Sequence, residues 1–259
     1  SDVCSSDLPY THALVRPPGD SFAQAISSTR AKIDPARARR QHAAYCDVLR
    51  AAGFQVEALP VSEALPDSCF MQDPALVVAG QAVVCRMGAT SRAGEPALVA
   101  EWLRARFPTT AIAAPGTLEG GDILLLPDRL LVGESARTNA AGIRQLAAQL
   151  APAGVKVSGT PVTKYLHLLT AVTYVGHNTL LALADYASHP EFSGYEVIVV
   201  PPEEAHAADA LGTGDHVILP EGHPKTTAAL QARGFKVLAT PMSEFGAADG
   251  GITCLALVW

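Results

Sequence analysis

Four reactive side chains stand at nearly even intervals along the chain, each ahead of an apolar, β-prone run. Asp73, Glu119, His167 and Asp215 are 46, 48 and 48 positions apart. A period near ~50 residues marks a repeat architecture, in which no unit buries its apolar face alone. After Asp73 come strands at 75–78 and 82–87 around the turn Gly80-Gln81, a helix at 95–107 and a strand at 111–114. Glu119 and Asp122 lead into strands 123–126 and 130–133, a helix at 138–150 and a strand at 155–157. His167 leads into strands 171–175 and 180–184 and, with no legible helix between, a strand at 197–200. Asp215 precedes a strand at 217–219, a helix at 224–233 and a strand at 236–239.

A fifth unit forms only if the C-terminal strand 255–258, which follows Cys254, pairs with an N-terminal strand at 11–16. A helix at 35–52 and a strand at 55–59 would complete it. Asp34-Pro35 opens that helix with a capping side chain and a first-turn proline. Tyr45, Val48, Leu49 and Ala52 follow helical spacing, and Gly53 ends it. The closure makes a ring of five whose lead-in residues converge on its axis. The polar stretch 20–32 is expected as a loop or lid over that axis.

Composition narrows the partners. With 17% charged and 49% hydrophobic residues over 259 positions, the chain has a globular composition and can bury a substantial core. A net charge of −6 and short basic clusters argue against nucleic acid. No apolar run approaches ~18 residues, so no membrane span is expected. Five cysteines without a CxxC pair fit reduced thiols in a cytoplasmic setting better than a disulfide framework or a zinc site. Neither metal nor cofactor is expected. Residues 3–8 look like translated adapter sequence, so residues 1–9, with Cys4, are set aside as non-native and 10–259 are expected as one catalytic domain. A homodimer is admitted but not required.

The chemistry concentrates at the lead-ins. The last eleven residues place Cys254 between a flexible glycine pair and an apolar strand, so a rigidly held thiol can face a cleft. A lone buried cysteine is more often simple packing; His167 and Glu119 at equivalent lead-ins favour a nucleophile, since a thiol needs a neighbouring base or cation. Leu118-Glu119-Gly120-Gly121-Asp122 supplies two carboxylates around two glycines, and Asp67-Ser68-Cys69-Phe70-Met71-Gln72-Asp73 two more acids. Such acid density suits a planar cation, which carboxylates hold by paired hydrogen bonds.

Those residues carry a resemblance. From Thr11-His12-Ala13-Leu14-Val15-Arg16 to the terminal Asp-Gly-Gly-Ile-Thr-Cys, the chain resembles the dimethylarginine dimethylaminohydrolases of the amidinotransferase (pentein) superfamily. LEGGD, Arg137-Thr138-Asn139, the LHL around His167 and the closing TC are specific in combination. The resemblance implies an α/β fold, a five-bladed α/β propeller of ββαβ repeats, in agreement with the repeat. It implies Cys254 as nucleophile, His167 as general acid/base and Glu119 as the acid that orients the guanidinium. Asp67, Gln72, Asp73 and Asp249 fall at substrate-binding positions, and Arg92 and Arg137 match arginines that hold the substrate carboxylate, a task suited to a planar fork of donors. The implied reaction cleaves an N-omega-methylated arginine to citrulline and an alkylamine through a Cys thiouronium intermediate.

Two positions depart from the family. Gln72 stands where an acid is usual, and Leu169 and Thr170 follow His167 where lysine and serine are usual. Arginine deiminases and amidinotransferases share the reactive set and form the nearest alternative, and non-catalytic penteins that only bind form a second. Cys46 is read as packing, and Cys69 and Cys85 flank the site region but lack the spaced histidine a metal site needs. His12, His177, His206, His216 and His223 are read as structural or solvent-facing.

Overall fold

An antiparallel strand pair followed by a third strand parallel to its middle member is the unit of the fold, and it occurs in five three-stranded sheets. The structure, a computed structural model, describes residues 10–259; the adapter-like stretch and Cys4 lie outside the described residues. The first sheet holds β1 (His12–Val15) and, after α1 (Pro35–Ala51), β2 (Gln55–Ala58). The second holds β3 (Ala75–Val78), β4 (Gln81–Val84) and, after α2 (Glu95–Arg104), β5 (Thr109–Ala111). The third is β6 (Ile123–Leu126), β7 (Arg129–Glu134), α3 (Ala140–Leu150) and β8 (Val157–Pro161). In the fourth, β9 (Val172–Gly176) and β10 (Thr179–Ala182) are joined to β11 (Glu196–Val199) by two 3-10 turns, Ala184–Tyr186 and Pro190–Phe192, in place of a helix. The fifth is β12 (Leu211–Gly212), β13 (His216–Pro220), α4 (Pro224–Gln231) and β14 (Lys236–Thr240). After the short α5 (Ser243–Gly246), β15 (Ala256–Val258) returns to the first sheet, with Ala13 opposite Val258 and Val15 opposite Ala256. This is a five-bladed α/β propeller.

Local chemistry accounts for the elements. Asp34 caps α1 by accepting from Ala36 N at 2.9 Å and Arg37 N at 3.1 Å. The apolar spacing of α1 buries Ala38, Tyr45, Cys46 and Leu49 on one face. Asn139 caps α3 through Gly142 N at 2.9 Å, which is why that helix starts two residues later than its apolar pattern suggests. Between β3 and β4, Ala79 and Gly80 both take positive φ, the geometry of a two-residue hairpin turn whose twist matches its strands. Apolar clusters fill the layers between sheets and helices; Leu130 and Leu131, both fully buried in β7, face two different ones. Each such side chain contributes roughly 1.5–3 kcal/mol by leaving water. Among the described residues no helix is long and apolar enough to cross a membrane.

The fifth sheet corrects the repeat as read from sequence. Its first strand, β12, precedes Asp215, so Asp215 belongs to the turn between β12 and β13, where its side chain is 73% exposed. The residue that occupies the lead-in is Asp209, 42 positions after His167 and 45 before Cys254. A two-residue strand of Leu and Gly is too short to display alternation, so the strand and its lead-in were both invisible to the periodicity.

Candidate active site

The lead-ins to the first strands of the sheets bring Asp73, Glu119, His167, Asp209 and Cys254 to the axis. All are buried except Cys254, which is half-buried. His167 Nε2 donates to Glu119 Oε2 at 2.8 Å. Glu119 has no exposed surface, and its other oxygen accepts from Gly88 N at 2.9 Å and Ala89 N at 3.2 Å. Arg137 Nη1 approaches Oε2 at 3.3 Å. Burial alone would raise this carboxyl, but the His167 hydrogen bond and charge, with Arg137 and Arg92, hold it down at about 2. Burial likewise disfavours a charged His167, yet Asp73, Glu119 and Asp122 around it outweigh that and push its pKa up. The surroundings thus favour the charged form of the ring, the form able to give a proton.

Asp73 and the glycine pair of LEGGD fit the same space. Asp73 Oδ1 accepts from Gly121 N at 3.0 Å, and Oδ2 pairs with Arg92 Nη1 at 2.6 Å. A Cβ on Gly121 would lie 2.6 Å from His167 Nδ1 and 2.9 Å from Asp73 Oδ1, while one on Gly120 would lie 2.1 Å from the Gln72 carbonyl oxygen. Both glycines are thus demanded by close approach. Asp122 has both oxygens inside the scaffold, taking Leu168 N at 3.0 Å and Ser135 Oγ at 2.7 Å, which anchors the residue after His167.

The other site residues predicted from sequence divide into two groups. Arg92 is buried, with Nε and Nη2 forked on Glu95 at 2.9 and 2.7 Å and Nη1 on Asp73, so its planar donors are taken up by acids. Arg137 is more open, with 15% side-chain exposure. Asp67 Oδ1 accepts from Ile26 N at 3.1 Å, and Asp249, at φ 58°, accepts from Ser28 N at 2.6 Å and Ser28 Oγ at 2.7 Å. These two acids hold the loop that follows the 3-10 turn Asp20–Gln24, within the stretch expected to be a lid. Gln72 donates its backbone N–H to the Cys254 carbonyl at 3.2 Å, and its Oε1 is buried with no hydrogen-bond partner among the described residues.

Cys254 Sγ accepts from Gly251 N at 3.4 Å and lies 4.0 Å from Asp209 Oδ2; no hydrogen bond joins it to His167 among the described residues. Burial, then the charges of Asp209 and Asp73, push the thiol well up, so it rests protonated. A cavity of about 920 Å³ opens alongside, lined in part by Asp209, Asp249, Gly250 and Gly251. Asp73, Glu119 and His167 each bring one potential ligand atom within 4.8 Å of the others, close enough to share a cation, although Asp73 is already paired with Arg92 and His167 is hydrogen-bonded to Glu119. Of the residues at the axis, sequence reasoning missed only Asp209.

A five-bladed α/β propeller with a thiol, a histidine and buried acids at its axis is a pentein with the equipment for guanidino chemistry. The family model described as N,N dimethylarginine dimethylhydrolase, eukaryotic, matches residues 16–211. The N(G),N(G)-dimethylarginine dimethylaminohydrolase of Pseudomonas aeruginosa is 38% identical over 251 residues, covering 96% of this chain and 99% of the relative. Its cysteine-to-serine mutant complexed with citrulline superposes with a TM-score of 0.94 at 37% identity, over 96% of this chain and 99% of that one. A histidine-to-glycine dimethylarginine dimethylaminohydrolase carrying an adduct with S-methyl-L-thiocitrulline also gives 0.94 at 37% identity, over 96% and 100%. The chain belongs to the dimethylarginine dimethylaminohydrolase family.

Proposed function

We propose that this chain, as one catalytic unit over residues 10–259, hydrolyses N-omega-methylated arginine to citrulline and an alkylamine, with Cys254 as nucleophile and His167 as proton donor and acceptor. The observation that carries the reading is the buried His167–Glu119 pair at 2.8 Å, at the same axis as the Cys254 thiol. The relatives support it, since one binds citrulline and another forms an adduct with a thiocitrulline.

In this reading the Cys254 thiol gives its proton to a base beside it as its sulphur bonds to the guanidinium carbon and the π pair moves to nitrogen. That proton returns when the sulphur is released. The His167 imidazolium gives its proton to the methylated nitrogen, the C–N bond breaks and the alkylamine leaves. A thiouronium then joins carbon to sulphur. The now neutral His167 takes a proton from water as the water oxygen adds to that carbon, and collapse releases citrulline and the Cys254 sulphur. Glu119 orients the ring and stabilises its charge. Asp73, steadied by Arg92, meets the guanidinium, with Asp67, Gln72 and Asp249 shaping the site and its loop. Arg137, the more open of the two arginines, takes the substrate carboxylate. A cytoplasmic homodimer is the proposed form, checked by sedimentation.

Citrulline release from asymmetric dimethylarginine, with dimethylamine measured alongside, tests the reaction. Faster turnover of unmethylated arginine, with ammonia as co-product, would replace this reading by a deiminase.

A further inference from the structure

Asp209 is a buried acid beside the nucleophile, on a different sheet and with an open acceptor. It is 7% exposed and leads into β12. Its Oδ1 accepts from Thr253 N at 2.8 Å, one residue before the nucleophile, and its Oδ2 lies 4.0 Å from Cys254 Sγ. The glycine pair before Cys254 makes room for it, because a Cβ on Gly251 would sit 2.1 Å from Oδ2. The sulphur also accepts from Gly251 N at 3.4 Å. The thiol therefore has one donor and one acceptor beside it, and the acceptor is a carboxylate.

We propose that Asp209 is the proton acceptor for the Cys254 thiol, holding the S–H in the resting enzyme and taking its proton as the sulphur attacks. The proposal rests on Cys254 being the nucleophile, as proposed above. The S–H bond breaks, an O–H bond forms on Asp209 Oδ2, and the sulphur electron pair forms the bond to the electrophilic carbon. When the sulphur is released at the end of turnover, the proton returns to it. The 4.0 Å separation must close by some tenths of an ångström, as unliganded catalytic contacts commonly do when substrate binds. His167 makes no hydrogen bond to the sulphur among the described residues: its Nε2 is bound to Glu119, and the acids around it favour its protonated form. Asp209 suits the task because burial, opposed by the Thr253 N–H and the His167 charge and reinforced by Asp73, pushes its carboxyl up to about 6. Asp73 and Arg92 also face the sulphur, with opposite effects on its ionisation.

Asp209→Asn separates this role from a structural one. It keeps the acceptor for Thr253 N–H but can neither repel a thiolate nor take a proton. Alkylation of Cys254 by iodoacetamide, followed against pH with the adduct located by mass spectrometry, should have its half-maximal rate shifted down by about one pH unit or more, because a neighbouring negative charge is gone. Citrulline release should nonetheless fall ~10²–10⁴-fold, the usual loss when a general base is removed. A more acidic thiol in a slower enzyme is the expected signature. An unmoved alkylation profile, or undiminished turnover, overturns the proposal. Asp209→Ser, which keeps a hydroxyl acceptor for Thr253 N–H, serves if the first variant does not fold. The alkylation arm uses no guanidino substrate, so it judges Asp209 even if the parent fails to release citrulline, an outcome that would instead sink the proposed reaction.

Discussion

Glu119 accepts from Gly88 N, Ala89 N, His167 Nε2 and Arg137 Nη1, and beside it Asp73 is bound by Gly121 N and Arg92. The Cys254 sulphur, by contrast, meets polar groups among the described residues at 3.4 and 4.0 Å. The histidine side of the site is a closed network in which charge is balanced by fixed partners, and such networks resist rearrangement because a broken member leaves a buried group unsatisfied. The cysteine side is sparse. In the proposed reaction the proton donor holds one orientation through two transfers while the nucleophile travels to its carbon and back, a division that this difference in bonding density would suit.

The largest expected effect lies on the sparse side. Cys254→Ser should abolish citrulline release while circular dichroism and the melting temperature stay near parental values, because a serine hydroxyl offers no accessible anion near neutral pH. Parental turnover by that variant would remove the nucleophile from the scheme.

On the closed side, His167→Gln should slow turnover ~10²–10⁴-fold, since one ring serves both proton transfers. A loss below tenfold would leave His167 a scaffold residue. Gly121→Ala probes the same network sterically. Its new methyl would meet His167 Nδ1 and Asp73 Oδ1, so a destabilisation of roughly 1–3 kcal/mol is expected in urea unfolding, together with reduced kcat. Equal effects from Gly246→Ala, where nothing lies within 4 Å, would show that no local clash is involved.

Acid should weaken the fold in two stages, first at His42 on α1, beside Cys46, and then on the closed side at Glu119. His42 is kept neutral by burial, its pKa lowered from 6.5 to about 4, so its contribution is present above 6.5 and is lost as pH falls towards 4. Glu119, depressed from 4.5 to about 2, contributes above 4.5 and loses that contribution as pH falls towards 2. Because the raised acids Asp209 and Glu95 act in the opposite sense over the upper window, the quantity to follow there is the difference in unfolding midpoint between the parent and His42→Leu. That difference should change as pH falls from 6.5 towards 4. A difference that stays constant over that window would contradict the first assignment.

The smallest effect is expected at Gln72, whose side-chain oxygen is buried without a partner. An amide offers neutral hydrogen bonds where a carboxylate offers charge-assisted ones, about twice as strong. Gln72→Glu should lower KM for dimethylarginine a few-fold with less change in kcat, and should do less for the N-acetylated substrate. Unchanged constants for both substrates would confine Gln72 to supporting the Cys254 carbonyl.

Legibility in the sequence followed the same division. Asp73, Glu119, His167 and Cys254 could be found because each stands ahead of a strand long or apolar enough to show itself. Asp209 stands ahead of Leu211–Gly212, which shows no period at all. The fourth sheet lacked a legible helix because its connection is a pair of 3-10 turns, which carry no 3.6-residue stripe. The bonds from Asp67 and Asp249 to Ile26 and Ser28 join positions 41 and 221 residues apart, and no local pattern announces a hydrogen bond across such distances. Likewise, the acids that occupy Arg92 became visible only once α2 placed Glu95 one turn beyond it.

The pairing of β15 with β1 sets a schedule for biosynthesis. Ala13 meets Val258 across nearly the whole chain, and contacts of such separation are slow to form. During translation the first strand waits without its neighbour while four sheets are made, and the strand that seats Cys254 emerges after all of them. The strands that follow Glu119 and His167 are therefore made before the strand that follows Cys254, and the sulphur is seated only when β15 reaches β1. Activity should appear only once that pairing is made, and a citrulline assay during refolding from urea, set against the recovery of secondary structure, would register it.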